Sequence, residues 1–117
     1  MSFIMRWLGL GKPAPSIGLR PHRDVDLPLD YDAAYARILS AIELTLGANV
    51  VIDDRRAGFV EAAFGIVNSE RVRCTLERVD ASKTHVRIEA FFPAGAMIQS
   101  NSRAVDALAD SLAAVSP

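Results

Sequence analysis

The sequence contains few of the residues from which metal, redox and catalytic sites are built. Its single cysteine, Cys74, cannot form an internal disulfide, and two histidines with one cysteine make a zinc site improbable. No HExxH, GxSxG or glycine-rich phosphate loop occurs. We therefore expect no metal, no cofactor and no enzyme activity.

A surplus of charge of one sign and long apolar runs are also missing. The 13 Lys and Arg residues face 14 Asp and Glu residues, so the formal net charge is −1 and we expect no nucleic-acid partner. No stretch approaches the roughly 20 apolar residues that a membrane-spanning helix needs. What remains is an ordinary globular composition over 117 residues, which is the size of one domain.

Residues 1–23 differ from the rest, since an apolar run is followed there by glycines and prolines. Arg6 interrupts the run and no basic start precedes it, so we expect a cytoplasmic protein and not a secreted one. The segment is a loose or self-packed arm, an arm that packs on another subunit, or a weak membrane-surface anchor formed by residues 1–12. The residues expected to contact a partner are Phe3, Ile4, Trp7 and Leu8.

Residues 24–117 are predicted to form a single domain with two helices, each burying one face. Asp30 or Asp32 is expected to cap the first helix and Gly47 to end it, while Asn101 or Ser102 caps the second. The stripe of the first helix is Tyr31, Tyr35, Ile38, Leu39, Ile42 and Leu46. The stripe of the second helix is Val105, Leu108, Leu112 and Val115.

Five segments alternate as strands do: "RDVDLPL", "NVVIDD", "GFVEAAFGIV", "RVRCTLERV" and "THVRIEAFF". Pro28 has no N–H to donate, so the first strand is expected at an edge of the sheet. Val50 and Ile52 are expected on the inner face. The third strand is expected to share that face through Val60, Ala62, Phe64 and Ile66.

The last two strands are predicted to form a hairpin with residues 80–82 as its loop. This register places Leu76 opposite Val86 and Cys74 opposite Ile88 on the inner face. The outer-face pairs would be Glu77 with His85, Thr75 with Arg87 and Arg73 with Glu89. The element order is β-α-β-β-β-β-α, which indicates an α+β two-layer sandwich: an antiparallel meander of four to five strands with both helices on one face.

The stretch "IDDRRAGF" concentrates charge and is predicted to be the tip of another hairpin. Gly58 would take the left-handed conformation that ends a three-residue loop, 56–58. Asp53 and Asp54 are adjacent in a strand, so their side chains leave opposite faces and do not share an ion. Arg55 and Arg56 flank the exposed tip and are the other expected partner-binding residues.

The stretches "VDLPLDYDAAYARIL", "VVIDDRRAGFVEA" and "THVRIEA" together resemble the small helix-grip modules of bacterial envelope proteins. The C-component lipoprotein of the outer-membrane β-barrel assembly machine is of this kind. The resemblance covers roughly residues 24 to 115 and lies in the apolar pattern. The same opening is similar to the lipid-binding START and polyketide-cyclase superfamily, whose sheet is larger. Neither resemblance implies catalytic residues.

Two functions fit these observations. The first is a non-catalytic binding or scaffolding domain that self-associates, or binds a protein partner, through the arm or a sheet edge. The alternative is a carrier of a small apolar ligand, with a pocket between helix and sheet near Phe59, Phe64 and Phe92. In either case the protein is expected in the cytoplasm, at the membrane surface if residues 1–12 bind lipid.

Overall fold

The computed structural model describes residues 21–93 and 102–114 of the chain. Its elements are β1 (His22–Leu27), α1 (Tyr31–Ala41), a π-helical turn (Ile42–Leu46), β2 (Asn49–Asp54), β3 (Phe59–Ala63), β4 (Arg71–Asp80), β5 (Lys83–Phe91) and α2 (Arg103–Ala113). The strands form one antiparallel sheet in the order β1-β5-β4-β3-β2. The predicted α+β architecture and element order are confirmed, with β1 at an edge.

A single apolar core lies between the sheet and the two helices. The largest side chains that are fully buried in it include Leu27, Tyr35, Ile38, Ile88 and Leu108. They come from β1, α1, β5 and α2, so each layer contributes to one cluster. The opposite face of the sheet is called the outer face below.

The ends of the helices follow the predicted signals. Asp30 caps α1 by accepting a hydrogen bond from the backbone N–H of Ala33 at 2.7 Å. The chain continues from α1 into the π-helical turn, and Gly47 ends it in the left-handed conformation with φ of 63°. Ser102 caps α2 through the N–H of Val105 at 3.2 Å. The stripe of the first helix packs on the core as expected, and Val105, Leu108 and Leu112 are buried, while Val115 lies outside the described residues.

The β4–β5 hairpin has the predicted register, with Leu76 opposite Val86 and Cys74 opposite Ile88. Its loop is different. Asp80 pairs with Lys83 across a two-residue turn, and the register shifts by one residue at Val79. A tight turn combined with a bulge preserves the same inner-face pairs as the expected three-residue loop, because each arrangement inserts the same number of residues.

The predictions for β2 and β3 were partly wrong. Ile52 pairs with Glu61 instead of sharing the inner face with Val60, because the register shifts at Val51. A bulge of this kind reverses the side-chain alternation along the strand. β3 also ends at Ala63, earlier than expected, and Ile66 is 98% exposed.

Candidate functional site

The tip of the β2–β3 hairpin is a turn that Asp54 stabilises, while the neighbouring Asp53 bonds to a helix. The backbone N–H of Gly58 donates to the carbonyl of Asp54 at 2.9 Å, and the N–H of Ala57 donates to the Asp54 side chain at 2.9 Å. Gly58 has the predicted positive φ, 86°, although the loop has four residues, 55–58, instead of three. Asp53 points to the other face, where it accepts a hydrogen bond from the hydroxyl of Tyr35. As expected, the two side chains leave opposite faces of the strand.

Arg55 is held by its own chain. Its carbonyl accepts a hydrogen bond from the hydroxyl of Tyr31 at 2.8 Å, and its guanidinium lies 4.9 Å from the centre of the Tyr35 ring. A long ion pair of 3.6 Å joins it to Asp32, with both side chains more than half exposed. A pair of this kind contributes little, since water screens it. The ring contact therefore orients Arg55 more than the ion pair does.

Arg56 and Arg78 complete a cleft at this tip. Arg78 lies 5.0 Å from the centre of the Tyr31 ring, while Arg56 is exposed and has no hydrogen bond or ion pair to residues 21–93 or 102–114. The cleft has a volume of about 430 Å³. It is lined by Tyr31, Arg55, Arg56, Ala57, Gly58, Leu76, Glu77 and Arg78.

Sequence reasoning missed the place of Arg78 in this cleft. The signal lies in the β3–β4 register, which pairs Phe59 with Thr75 and Val60 with Cys74. Extended to the residues that precede Phe59 at the start of β3, that register places Arg56 alongside Arg78. The β3–β4 register was not predicted from the sequence, so the two basic segments were not connected.

The edge strand β2 is a second exposed feature. All six of its residues are exposed, and in the described part of the chain its single neighbour in the sheet is β3. Three of the six are apolar, with Val50 and Ile52 at 38% and Val51 at 48% exposure. An edge of this kind presents unpaired backbone donors and acceptors together with apolar side chains.

The outer face of the sheet carries an ion cluster that was not expected. Glu61 is buried and accepts hydrogen bonds from Arg71 at 2.8 Å and from Arg73 at 3.0 Å. The guanidinium of Arg73 also lies 5.1 Å and 5.7 Å from the ring centres of Phe59 and Phe91. Two phenylalanines, Phe59 and Phe91, therefore lie on the outer face beside Arg73.

The position of Phe59 also corrects the predicted ligand pocket. The pocket was expected between helix and sheet, near Phe59, Phe64 and Phe92. Phe64 packs against the core, but Phe59 lies opposite Thr75 and beside Arg73 on the outer face. The sheet separates these two rings, so they do not line one cavity.

His85 lies opposite Glu77, as predicted, but its hydrogen bonds go to β1. Its Nδ1 lies 2.7 Å from Asp26 and its Nε2 lies 3.1 Å from Asp24. The hydrogen bond to Asp26, followed by that to Asp24, raises the pKa of His85 above its usual value. The imidazole thus joins the two strands at this edge of the sheet.

Cys74 is buried in the inner layer, as its place in the alternation predicted. Burial raises the pKa of its thiol to about 12, so the thiol stays protonated at neutral pH. In the described ranges no three His, Cys, Asp or Glu side chains are grouped so that they could hold a metal ion. The arm residues Phe3, Ile4, Trp7 and Leu8 lie outside the described residues.

No protein-family model matches this chain, and no curated protein matches it either. Of the helices in residues 21–93 and 102–114, none has the length and apolar character needed to cross a membrane.

Proposed function

We propose that this chain is a non-catalytic binding domain that self-associates by pairing β2 with β2 of a second copy. The observation that supports this most directly is that all six residues of β2 are exposed at the edge of the sheet. The proposal includes a cytoplasmic location, at a membrane surface if residues 1–12 bind lipid. The resemblance to helix-grip modules stays a prediction.

Strand addition suits this edge because both the backbone and the side chains gain contacts. The unpaired N–H and C=O groups of β2 would form a new ladder, and Val50, Val51 and Ile52 would lose contact with water. By contrast, β1 at the other edge is rich in charge and covered in part by α2. Arg23 of β1 pairs there with Asp106 and Asp110 of α2, both at 3.1 Å.

The charge distribution along β2 favours an antiparallel arrangement of two copies. Asp53 and Asp54 lie at one end of the strand and Asn49 at the other. In a two-fold pairing centred on Val51, Asp53 of one copy lies opposite Asn49 of the second copy and Asp54 lies opposite Ala48, far from the aspartates of that copy. Like charges are thereby separated, as a self-complementary interface requires.

The bulge at Val51 limits how far such a ladder extends. A bulge interrupts the regular spacing of donors and acceptors and increases the twist of the strand. Proteins use this device to weaken edges that would otherwise aggregate. We therefore expect a reversible dimer and no filament.

Sedimentation equilibrium across micromolar to millimolar concentration tests the proposal. Val51→Lys places a charge in the centre of the edge and should leave the protein monomeric. The matched control is Val79→Lys, since Val79 is 52% exposed against 48% for Val51 and lies on β4 beside the hairpin turn. The control should dimerise as the unaltered chain does. A chain that is monomeric throughout, or a dimer that Val51→Lys leaves intact, would show the proposal to be wrong.

Deletion of residues 1–12 distinguishes the edge from the arm. If β2 carries the contact, the shortened chain should still dimerise and should still be sensitive to Val51→Lys. If dimerisation disappears with the arm and is indifferent to Val51→Lys, the apolar arm residues carry self-association instead.

A further inference from the structure

We propose that the cleft at the β2–β3 tip binds a phosphate monoester, with Arg56 and Arg78 as the groups that pair with it. The charged lining residues are three arginines and one glutamate, so the lining has a formal charge of +2 in a chain whose net charge is −1. Three guanidinium groups thus line one cleft, and the carboxylates of Asp32 and Asp54, which contact Arg55 and the N–H of Ala57, are not among its lining residues. A lining of this kind attracts and holds anions.

The two arginines are available to a ligand. Arg56 is exposed and makes no ion pair within the described part of the chain. The guanidinium carbon of Arg78 lies over the Tyr31 ring, 5.0 Å from its centre. A contact with a ring face occupies none of the guanidinium N–H groups as a conventional hydrogen bond would, so they can still donate to an anion. It also restrains the side chain, so less conformational entropy is lost when an anion binds.

Arg55 adds a third donor that an anion can recruit. Its ion pair with Asp32 is long, 3.6 Å, and lies in solvent. A doubly charged ligand in the cleft competes well against a pair of that kind. The contact with the Tyr35 ring holds the guanidinium near the cleft while it exchanges partners.

The floor of the cleft is close-packed. A side-chain carbon at Gly58 would lie 3.0 Å from the carbonyl oxygen of Leu76 and 3.3 Å from the hydroxyl of Tyr31. The N–H of Leu76 also donates to the carbonyl of Gly58 at 2.8 Å, which joins the turn to β4. The turn therefore holds a fixed position between its arginines and Arg78.

A phosphate monoester matches this lining better than a carboxylate does. It carries a charge of about −1.5 to −2 at pH 7 and three acceptor oxygens, so it neutralises the lining almost completely. Guanidinium groups pair with such oxygens through two parallel hydrogen bonds. The volume of about 430 Å³ leaves room for the group that bears the phosphate. A small organic phosphate and a phosphorylated side chain both supply this chemistry.

The site can be tested with the full chain by ¹⁵N NMR, following the arginine side-chain Nε–Hε signals. We expect phenyl phosphate to shift the signals of Arg55, Arg56 and Arg78. Arg56→Gln and Arg78→Gln should each weaken binding about tenfold, as expected when one charge-assisted hydrogen bond is lost. Arg103→Gln is the matched control, because Arg103 is exposed at the start of α2 and away from the cleft, and it should bind as the unaltered chain does.

Further ligands separate the sources and the alternatives. A short glycine peptide with one phosphoserine that binds more tightly than phenyl phosphate identifies a phosphorylated side chain as the ligand; tighter binding of phenyl phosphate identifies a small organic phosphate. Equal shifts with sulfate or benzoate, or equal weakening by Arg103→Gln, would show a generic charge effect and overturn the proposal. The proposal would also be overturned if phenyl phosphate caused no shift of the arginine signals in a protein whose amide spectrum shows that it is folded.

The phosphate site does not depend on pairing at β2. The Val51→Lys variant should still bind phenyl phosphate, and Arg56→Gln should still dimerise. Failure of one proposal therefore leaves the other open to its own measurement.

Discussion

The hydroxyl of Tyr35 on α1 donates a hydrogen bond to the carboxylate of Asp53 on β2. Tyr35 is almost fully buried, at 1% exposure, whereas Asp53 is exposed at the edge of the sheet. Burial, together with the hydrogen bond that the hydroxyl donates to Asp53, raises the pKa of Tyr35, so the hydroxyl remains a donor at neutral pH. This bond ties the exposed edge strand to the core.

Tyr35→Phe should destabilise the protein by about 1.5 kcal/mol, near the lower end for a hydrogen bond to a charged acceptor, because water can replace the donor at Asp53. The change in urea denaturation midpoint measures it. Asp53→Asn provides a double-mutant cycle, in which the combined loss should be smaller than the sum of the single losses. Additive losses would mean that the two side chains do not interact in solution.

His85 makes stability depend on pH at the β1 edge. Its folded-state pKa is raised above the ordinary value of 6.5, first by the hydrogen bond to Asp26 and then by that to Asp24. A raised pKa means that the folded state binds the proton more tightly than the unfolded state. The stabilisation is therefore complete below about pH 6.5 and is lost as the pH rises through the folded-state pKa.

We accordingly expect the urea midpoint of the chain to fall as the pH rises above about 6.5, and His85→Gln to make the midpoint less dependent on pH in that range. Asp26→Asn should lower the pKa of His85, measured from the shift of its ring Hε1 proton with pH. If the ring titrates at the same pH with and without Asp26, the hydrogen bond is not formed in solution.

The contrast between the two hairpins shows what the sequence could predict. In β4 and β5 the apolar positions alternate without interruption, so one register satisfies both faces and the pairing of Cys74 with Ile88 follows from parity. In β2 the same reasoning placed Ile52 inward. The bulge at Val51 reverses the alternation there, and a short edge strand with three consecutive apolar residues contains no local signal of the reversal.

The candidate site was predictable to a similar extent. Alternation separated Asp53 from Asp54, and Gly58 marked the turn. The convergence of Arg78 on the tip depends on the β3–β4 register, which joins segments about twenty residues apart and is set by tertiary packing. The burial of Glu61 on the outer face was missed for the same reason, since its partners are both on the neighbouring strand.

Loss of both arginines that pair with Glu61 should destabilise the protein more than loss of the Glu61 charge itself. The Glu61 side chain is 4% exposed, whereas those of Arg71 and Arg73 are each 33% exposed. Replacing both arginines by glutamine leaves an uncompensated buried charge and should cost about 3–5 kcal/mol. Glu61→Gln should cost clearly less, because the released guanidiniums can be hydrated. Urea denaturation of the two variants measures this difference. Equal losses in the free energy of unfolding would mean that water reaches Glu61 in solution.

Gly58 should tolerate a side chain less well than Gly47, although both have positive φ. At Gly47, with φ of 63°, a side-chain carbon would meet nothing within 4 Å, so Gly47→Ala should cost about 1–2 kcal/mol from the backbone conformation alone. At Gly58, with φ of 86°, the same carbon would lie 3.0 Å from the backbone oxygen of Leu76. That oxygen belongs to a central strand and cannot move without disturbing the β4–β5 ladder.

Gly58→Ala should therefore lower the free energy of unfolding by more than Gly47→Ala, and it should shift the Nε–Hε signals of Arg55 and Arg78. A Gly58→Ala protein as stable as Gly47→Ala, with those signals unmoved, would contradict the close packing of the turn against β4.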